Sequence, residues 1–197
     1  MSVVGYLINS KDGLSGERGS FYNYILGAGG LYVRTRTPLL EATICITPAE
    51  VRGLAPVTEE VRLIHGRIPR GIYNSALVVL YGDPYKERYL AVTWTGAYHI
   101  AYPSQKGGGG SVEYERVPNT VLDIHSHGSM AAFFSGTDDR DEQGMRLSMV
   151  LGKIDTNEPE YLMRVGIYGY FANVSFEEVF QECTTLAMLF TDSASGY

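Results

Sequence analysis

Hydrophobic and polar positions alternate in short runs near the start of the chain, in "VVGYLI", "GLYVRTRT" and "LLEATICIT". Between them lie "NSKDGLSGERGS" and "GAGG", whose Gly, Ser, Asn and Asp content marks turns. This pattern predicts a β-rich N-terminal segment over residues 1–66. From Pro69 the period changes: Ile72, Ala76, Leu77, Val79 and Leu80 recur at helical spacing behind a proline suited to a first turn, and the run stops at "GDP". One helix of about three turns follows. "RYLAVTW" and "AYHIAYP" read as strands joined at Thr95 and Gly96, and "SQKGGGGS" as a flexible polar loop. "SVEYERV" extends the sheet, and "MRLSMVLGKI" and "YLMRVGIYGYF" are two further strands linked by the turn sequence "DTNEP". Ser175 and Glu178 have the spacing of a capping box on a short closing helix. The order of elements predicts an α/β (α+β) sandwich of mixed type over residues 67–197.

The run "NTVLDIHSH" changes the picture from fold to chemistry. Its period of two sets Leu122, Ile124 and Ser126 on one strand face and Asp123, His125 and His127 on the other. Residues at i and i+2 lie about 7 Å apart on one side, so the two imidazoles can converge on one ion at the roughly 2.0 Å that zinc prefers. Two neutral nitrogens alone make a poor site. Asp138 can add a carboxylate oxygen if the intervening loop folds back. Three protein ligands leave a fourth tetrahedral position open, as a catalytic zinc requires.

Composition narrows the class. The chain has 197 residues, is 45% hydrophobic and carries 15 tyrosines and 23 glycines, which fits a strand-rich globular protein with a sizeable core. Sixteen Lys and Arg against 22 Asp and Glu, with no basic run, argue against direct nucleic-acid binding. Cys45 and Cys183 stand in apolar surroundings and read as free buried thiols, consistent with a reducing, cytoplasmic location. The N-terminus has no signal-peptide pattern, and no apolar run is long enough for a membrane span.

His125-Ser126-His127, seven residues, Ser135, two residues and Asp138 read H-S-H-x7-S-x2-D. This motif resembles that of the JAMM (MPN-plus, JAB) metalloproteases. The helix beginning near a proline, followed by Glu87 at the head of "RYLAVTW", resembles the family's glutamate segment, and the likeness spans residues 69 to 172. The resemblance implies a JAMM/cytidine-deaminase-like mixed sheet flanked by helices. It further implies one zinc per chain held by His125, His127 and Asp138, Glu87 as general base and Ser135 as oxyanion stabiliser. Glu41 and Glu50 are rivals for the base but lack the preceding helix. "DIHSHGSMAAFFSGTDDRDE" and the N-terminal extension are similar to prokaryotic JAB proteins, in particular the protein A family of the bacterial PRTRC cassette, which also encodes an E1-like ThiF-family protein and a ParB-related protein. That likeness implies a ubiquitin-like or sulfur-carrier-like protein substrate, cut at or near a C-terminal glycine, and an E1-like partner. A non-catalytic JAB-fold binding or scaffold module is the alternative, and a DNA-linked role through the ParB-like neighbour a third.

Structural readings stand beside these. Ser135 can cap a helix starting at Gly136, with Asp138 as the capping-box acid, a role compatible with the ligand reading. Asp139, Asp141 and Glu142 read as a solvated acidic first turn, and Asp123, which shares the histidine face and could orient an imidazole from behind, reads as an exposed edge position. His65 and His99 lack partners at ligand spacing. Glycines 107–110 read as a mobile loop beside the site. Phe133 and Phe134 read as packing residues, one of which could wall a substrate channel.

Overall fold

The computed structural model describes residues 2–108 and 111–182. The first six strands form one sheet: β1 (Val4–Ser10), β2 (Gly13–Glu17), β3 (Tyr22–Gly27), β4 (Gly30–Arg36), β5 (Leu40–Pro48) and β6 (Glu60–Leu63), in the order β2-β1-β3-β4-β5-β6. Three of these strands, β2, β3 and β6, are not marked by the sequence pattern. β2 lies inside "NSKDGLSGERGS", because Ser10 and Gly13 close a tight hairpin and β1 supplies the ladder that the local residues do not demand. β3 pairs parallel to β1 and antiparallel to β4.

The helix α1 spans Arg70–Tyr81 and ends at Gly82. Its buried face is Tyr73, Ala76 and Leu80, so the apolar stripe is centred one position from the one the aliphatic residues alone suggested. The second sheet contains β7 (Tyr89–Trp94), β8 (Tyr98–Ala101), β11 (Thr120–Ser126), β12 (Met145–Gly152), β13 (Glu160–Ile167) and β14 (Tyr170–Asn173), ordered β14-β13-β12-β11-β7-β8. The expected strand "YLMRVGIYGYF" is in fact a hairpin, turned at Tyr168 and Gly169, which have φ of +50° and +90°. Nor does "SVEYERV" extend the sheet: β10 (Ser111–Tyr114) pairs with β9 (Gln105–Gly108) as a separate ribbon. Gly107 and Gly108 thus belong to a strand, while residues 109 and 110, like Cys183, lie outside the described residues. The short helices α2 (Gly136–Asp141) and α3 (Phe176–Val179) both begin with a capping box, at Ser135 and Ser175.

One apolar core joins these layers. Val33, Ala42 and Ile44 of the first sheet, Ala76 and Leu80 of α1, Leu122, Ile124, Met149 and Val165 of the second sheet, and Val179 and Phe180 cluster together. The two sheets also meet through a hydrogen bond of 2.7 Å between the Tyr24 and Tyr170 hydroxyls. Among the described residues no helix is long and apolar enough to cross a membrane.

The feature that positions the site is the parallel pairing of β11 with β12, which sets His125 beside Val150 and Ser126 beside Leu151. A parallel neighbour forces the chain to return from the end of β11 to the start of β12 across one sheet face. Residues 127–144 make that return and carry the ligand loop and α2 back over the histidines. The loop is pinned near the end of β12 by Lys153 N–H to Met130 O, 2.7 Å, and Ile154 N–H to Gly128 O, 3.0 Å. Gly152 makes this possible, since a Cβ there would stand 2.2 Å from Ala132 N and 2.6 Å from Met130 O. Gly152→Ala is expected to destabilise the fold by about 1–3 kcal/mol through overpacking against backbone. Gly71→Ala, where a Cβ meets open space, is expected to leave the melting temperature unchanged or higher. A thermal melt of the two variants checks the contrast.

Candidate metal centre

His125 lies near the end of β11 and His127 directly follows the strand's last residue, Ser126, and their ring centroids lie 5.1 Å apart. The crossover brings Asp138 to them: one ligand atom from each of His125, His127 and Asp138 lies within 4.8 Å of the others. Asp138 Oδ1 stands 3.4 Å from His125 Nε2. His125 Nε2 and His127 Nδ1 are buried and have no hydrogen-bond partner among the described residues. Leaving a buried polar atom unpaired costs on the order of 1–3 kcal/mol, so two side by side indicate a site organised for something that takes their lone pairs.

The capping box determines how Asp138 is presented. Ser135 donates its backbone N–H, at 2.6 Å, and its hydroxyl, at 2.7 Å, to Asp138 Oδ2. The Ser135 hydroxyl oxygen in turn accepts from the N–H groups of Thr137 and Asp138, each at 3.3 Å. One carboxylate oxygen is therefore spent on the cap and the other is left facing the imidazoles. Burial raises the Asp138 pKa, but the Ser135 hydroxyl and the neighbouring His125 outweigh it and hold the group below its ordinary value. Burial pushes the His125 imidazole down to about 4, against the upward pull of Asp138. At neutral pH the set is one carboxylate and uncharged His125, the protonation state that a metal ligand needs.

Two aromatic residues of the crossover flank the imidazoles. Phe133 packs edge-on to His127 with centroids 4.4 Å apart and remains 44% exposed, while Phe134 packs against His125 at 6.3 Å. Phe134 also covers the guanidinium of Arg164, which pairs with Asp139 and Glu142. The solvated acidic turn expected at this place is accordingly corrected. Glu142 is buried against Arg164, because β13 brings a cation beneath α2, and Asp139 is half exposed in the same pairing. The side chain of Asp141 lies outside the description.

Asp123 is corrected as well. It is buried, because β11 lies between β7 and β12 and has no open edge, and it accepts from Tyr89 Oη and, at 2.8 Å, from Arg146 Nη1. Burial raises its pKa despite these partners. It braces Tyr89, the residue that pairs with His125 across the strands.

Glu87 lies outside the converging set, half-buried in the link between α1 and β7. Its neighbours are fixed to Ser126, the residue between the histidines. Ser126 N–H donates to Arg88 O at 2.9 Å, Arg88 N–H to Ser126 Oγ at 3.2 Å, and Ser126 Oγ to Lys86 O at 3.4 Å. Gly128, at φ +60°, admits the preceding turn, since a Cβ there would meet Pro84 O at 2.8 Å. Glu41 is engaged elsewhere by Arg34, Arg36 and Arg62 on the first sheet, and the bond from Arg34 is the chief cause of its lowered pKa. Glu50 is exposed beside Arg52. His65 stacks on Trp94 at 4.2 Å, and Cys45 is a half-buried free thiol. The β9–β10 ribbon reaches the site's edge through Gln105, whose Oε1 accepts from Tyr89 N–H at 2.8 Å.

Two imidazoles and one carboxylate, buried at His127 and half-buried at His125 and Asp138, define a candidate metal centre beside the mixed sheet. Residues 89–165 match the family model described as prokaryotic homologs of the JAB domain, so that stretch is similar to a JAB domain. The match contains His125, His127, Ser135 and Asp138 and begins just after Glu87. No curated protein matches the chain.

Ser135→Ala removes both the cap and one Asp138 bond. It is expected to cost about 0.5–2 kcal/mol of stability and to weaken divalent-metal binding. Thermal melts and chelator competition measure the two effects separately.

Proposed function

We propose that this protein is a zinc-dependent peptidase or isopeptidase of JAMM type that cuts at or near the C-terminal glycine of a ubiquitin-like or sulfur-carrier-like protein. The observation that carries this reading is the meeting of two unpartnered buried imidazole nitrogens with the free oxygen of a capped aspartate. Two imidazoles and a single carboxylate suit zinc better than magnesium or calcium, which favour oxygen ligands. Bound there with a coordination position open, zinc supplies Lewis acidity and a water acidic enough to act at neutral pH.

The chain's own residues divide the remaining work. Glu87 is the general base, taking a proton from the attacking water and returning it to the leaving amine. This role is supported by register. Tyr89 pairs with His125, and the bond from Ser126 to Arg88 carries the antiparallel pairing one step further. Glu87 directly precedes Arg88 in the chain and His127 directly follows Ser126, which brings the two residues to the same end of the β7–β11 pair. The Ser135 hydroxyl donates to the oxyanion of the tetrahedral intermediate by rotating away from Asp138 Oδ2, which keeps the bond from Ser135 N–H. The exposed edge of Phe133 borders the approach to His127 and suits a narrow glycine-ended tail. In this reading an E1-like ThiF-family protein acts on the same substrate, and the work is done in the cytoplasm.

Purified protein is expected to hold about one zinc per chain by elemental analysis, and stripping the metal to stop cleavage of glycine-ended ubiquitin-like fusions. Glu87→Gln should keep the zinc and lose roughly 10²–10⁴-fold in kcat. Equal cleavage by the metal-free protein, or by Glu87→Gln, contradicts the mechanism. A wild type that binds zinc and the fusions but leaves them intact identifies a scaffold module instead.

A further inference from the structure

The helix α2 poses a packing problem. Its sequence is "GTDDRD", without one apolar side chain, and it is only six residues long. Such a helix has neither the length to persist by itself nor an apolar stripe to hold it to the sheet. Yet Asp138 lies in it, and the metal-centre reading needs that carboxylate fixed to a few tenths of an ångström.

Arg164 answers the problem. It projects from β13, and its side chain is only 8% exposed. The guanidinium lies between two aromatic rings, 3.9 Å from the Phe134 centroid and 4.1 Å from that of Phe171 on β14. The guanidinium also pairs with Asp139 Oδ1 at 2.7 Å and with Glu142 Oε1 at 3.1 Å. Phe134 immediately precedes the N-cap Ser135, and Glu142 is the C-cap. One side chain therefore grips the helix before its start, within it and at its end, and Asp138 sits between those points.

We propose that Arg164 is a positioning residue for the metal centre: clamped between Phe134 and Phe171, it holds α2 so that Asp138 faces His125. The inference rests on the reading of His125, His127 and Asp138 as ligands. Arginine is required because a flat, forked cation both stacks between rings and pairs with two carboxylates, which a lysine ammonium cannot do.

Charge alone and positioning predict opposite signs. Removing a cation beside a cation site strengthens metal binding electrostatically, whereas loosening Asp138 weakens it. Zinc affinity, measured by competition with a chromophoric chelator, is expected to fall about 10- to 100-fold in Arg164→Met, the range for partners that orient a ligand. Arg164→Lys should fall between this variant and wild type, and Phe171→Ala, which changes no charge, should also bind zinc more weakly. The visible spectrum of the cobalt-loaded protein should shift in each, reporting altered ligand geometry. If Arg164→Met does not fold, the other two variants carry the test. Tighter zinc binding by Arg164→Met overturns the inference. So do Arg164→Lys and Phe171→Ala that melt lower yet bind zinc as wild type does, since they show a merely structural role. A wild type that binds no zinc overturns the underlying metal-centre reading as well.

Discussion

Two imidazole nitrogens, His125 Nε2 and His127 Nδ1, are buried without a hydrogen-bond partner, and the surrounding structure is organised around that cost. Proteins bury polar atoms unpaired only rarely, and here burial also keeps the His125 imidazole uncharged at neutral pH. Among the described residues no hydrogen bond joins the two rings through these nitrogens, and Asp138 Oδ1 stands 3.4 Å from His125 Nε2. The third group at the site, Asp138 Oδ1, is an acceptor. Two imidazole nitrogens and a carboxylate oxygen that meet in this way can share one cation.

The topology explains why the three meet. β11 and β12 are parallel neighbours, so the segment between them must cross a sheet face, and it crosses the one that bears the histidines. Around the crossing, Asp123 is paired with Arg146 and Tyr89, Glu142 and Asp139 with Arg164, and Asp138 with Ser135. The opposite face is apolar and closes the core with α1 and the first sheet. One sheet thus has a side devoted to stability and a side devoted to polar chemistry, divided by the period-two alternation of β11.

That alternation is also why so much of the site was legible in the sequence. Period two in "TVLDIHSH" fixed the shared face of the histidines, and the Ser-x-x-Asp spacing announced the cap that restrains Asp138. The helix after Pro69 and the β7–β8 hairpin at Gly96 were readable for the same reason, since local residues dictate them. What escaped depended on distant partners. Asp123 read as an edge residue because nothing local reveals that β11 is central. Glu142 read as solvated because its partner Arg164 is 22 residues further on. The β2 segment reads as a turn because its ladder comes from β1, and the break at Tyr168 and Gly169 is hidden because tyrosine seldom adopts positive φ.

The central claim, that these three side chains hold one zinc ion, is tested most directly by an anomalous difference map from a crystal of the zinc-bound protein, recorded at the zinc absorption edge. The account predicts a single strong peak about 2.0–2.2 Å from a nitrogen of His125, a nitrogen of His127 and an oxygen of Asp138. A map with no peak there, or with zinc bound only at other residues, would contradict it.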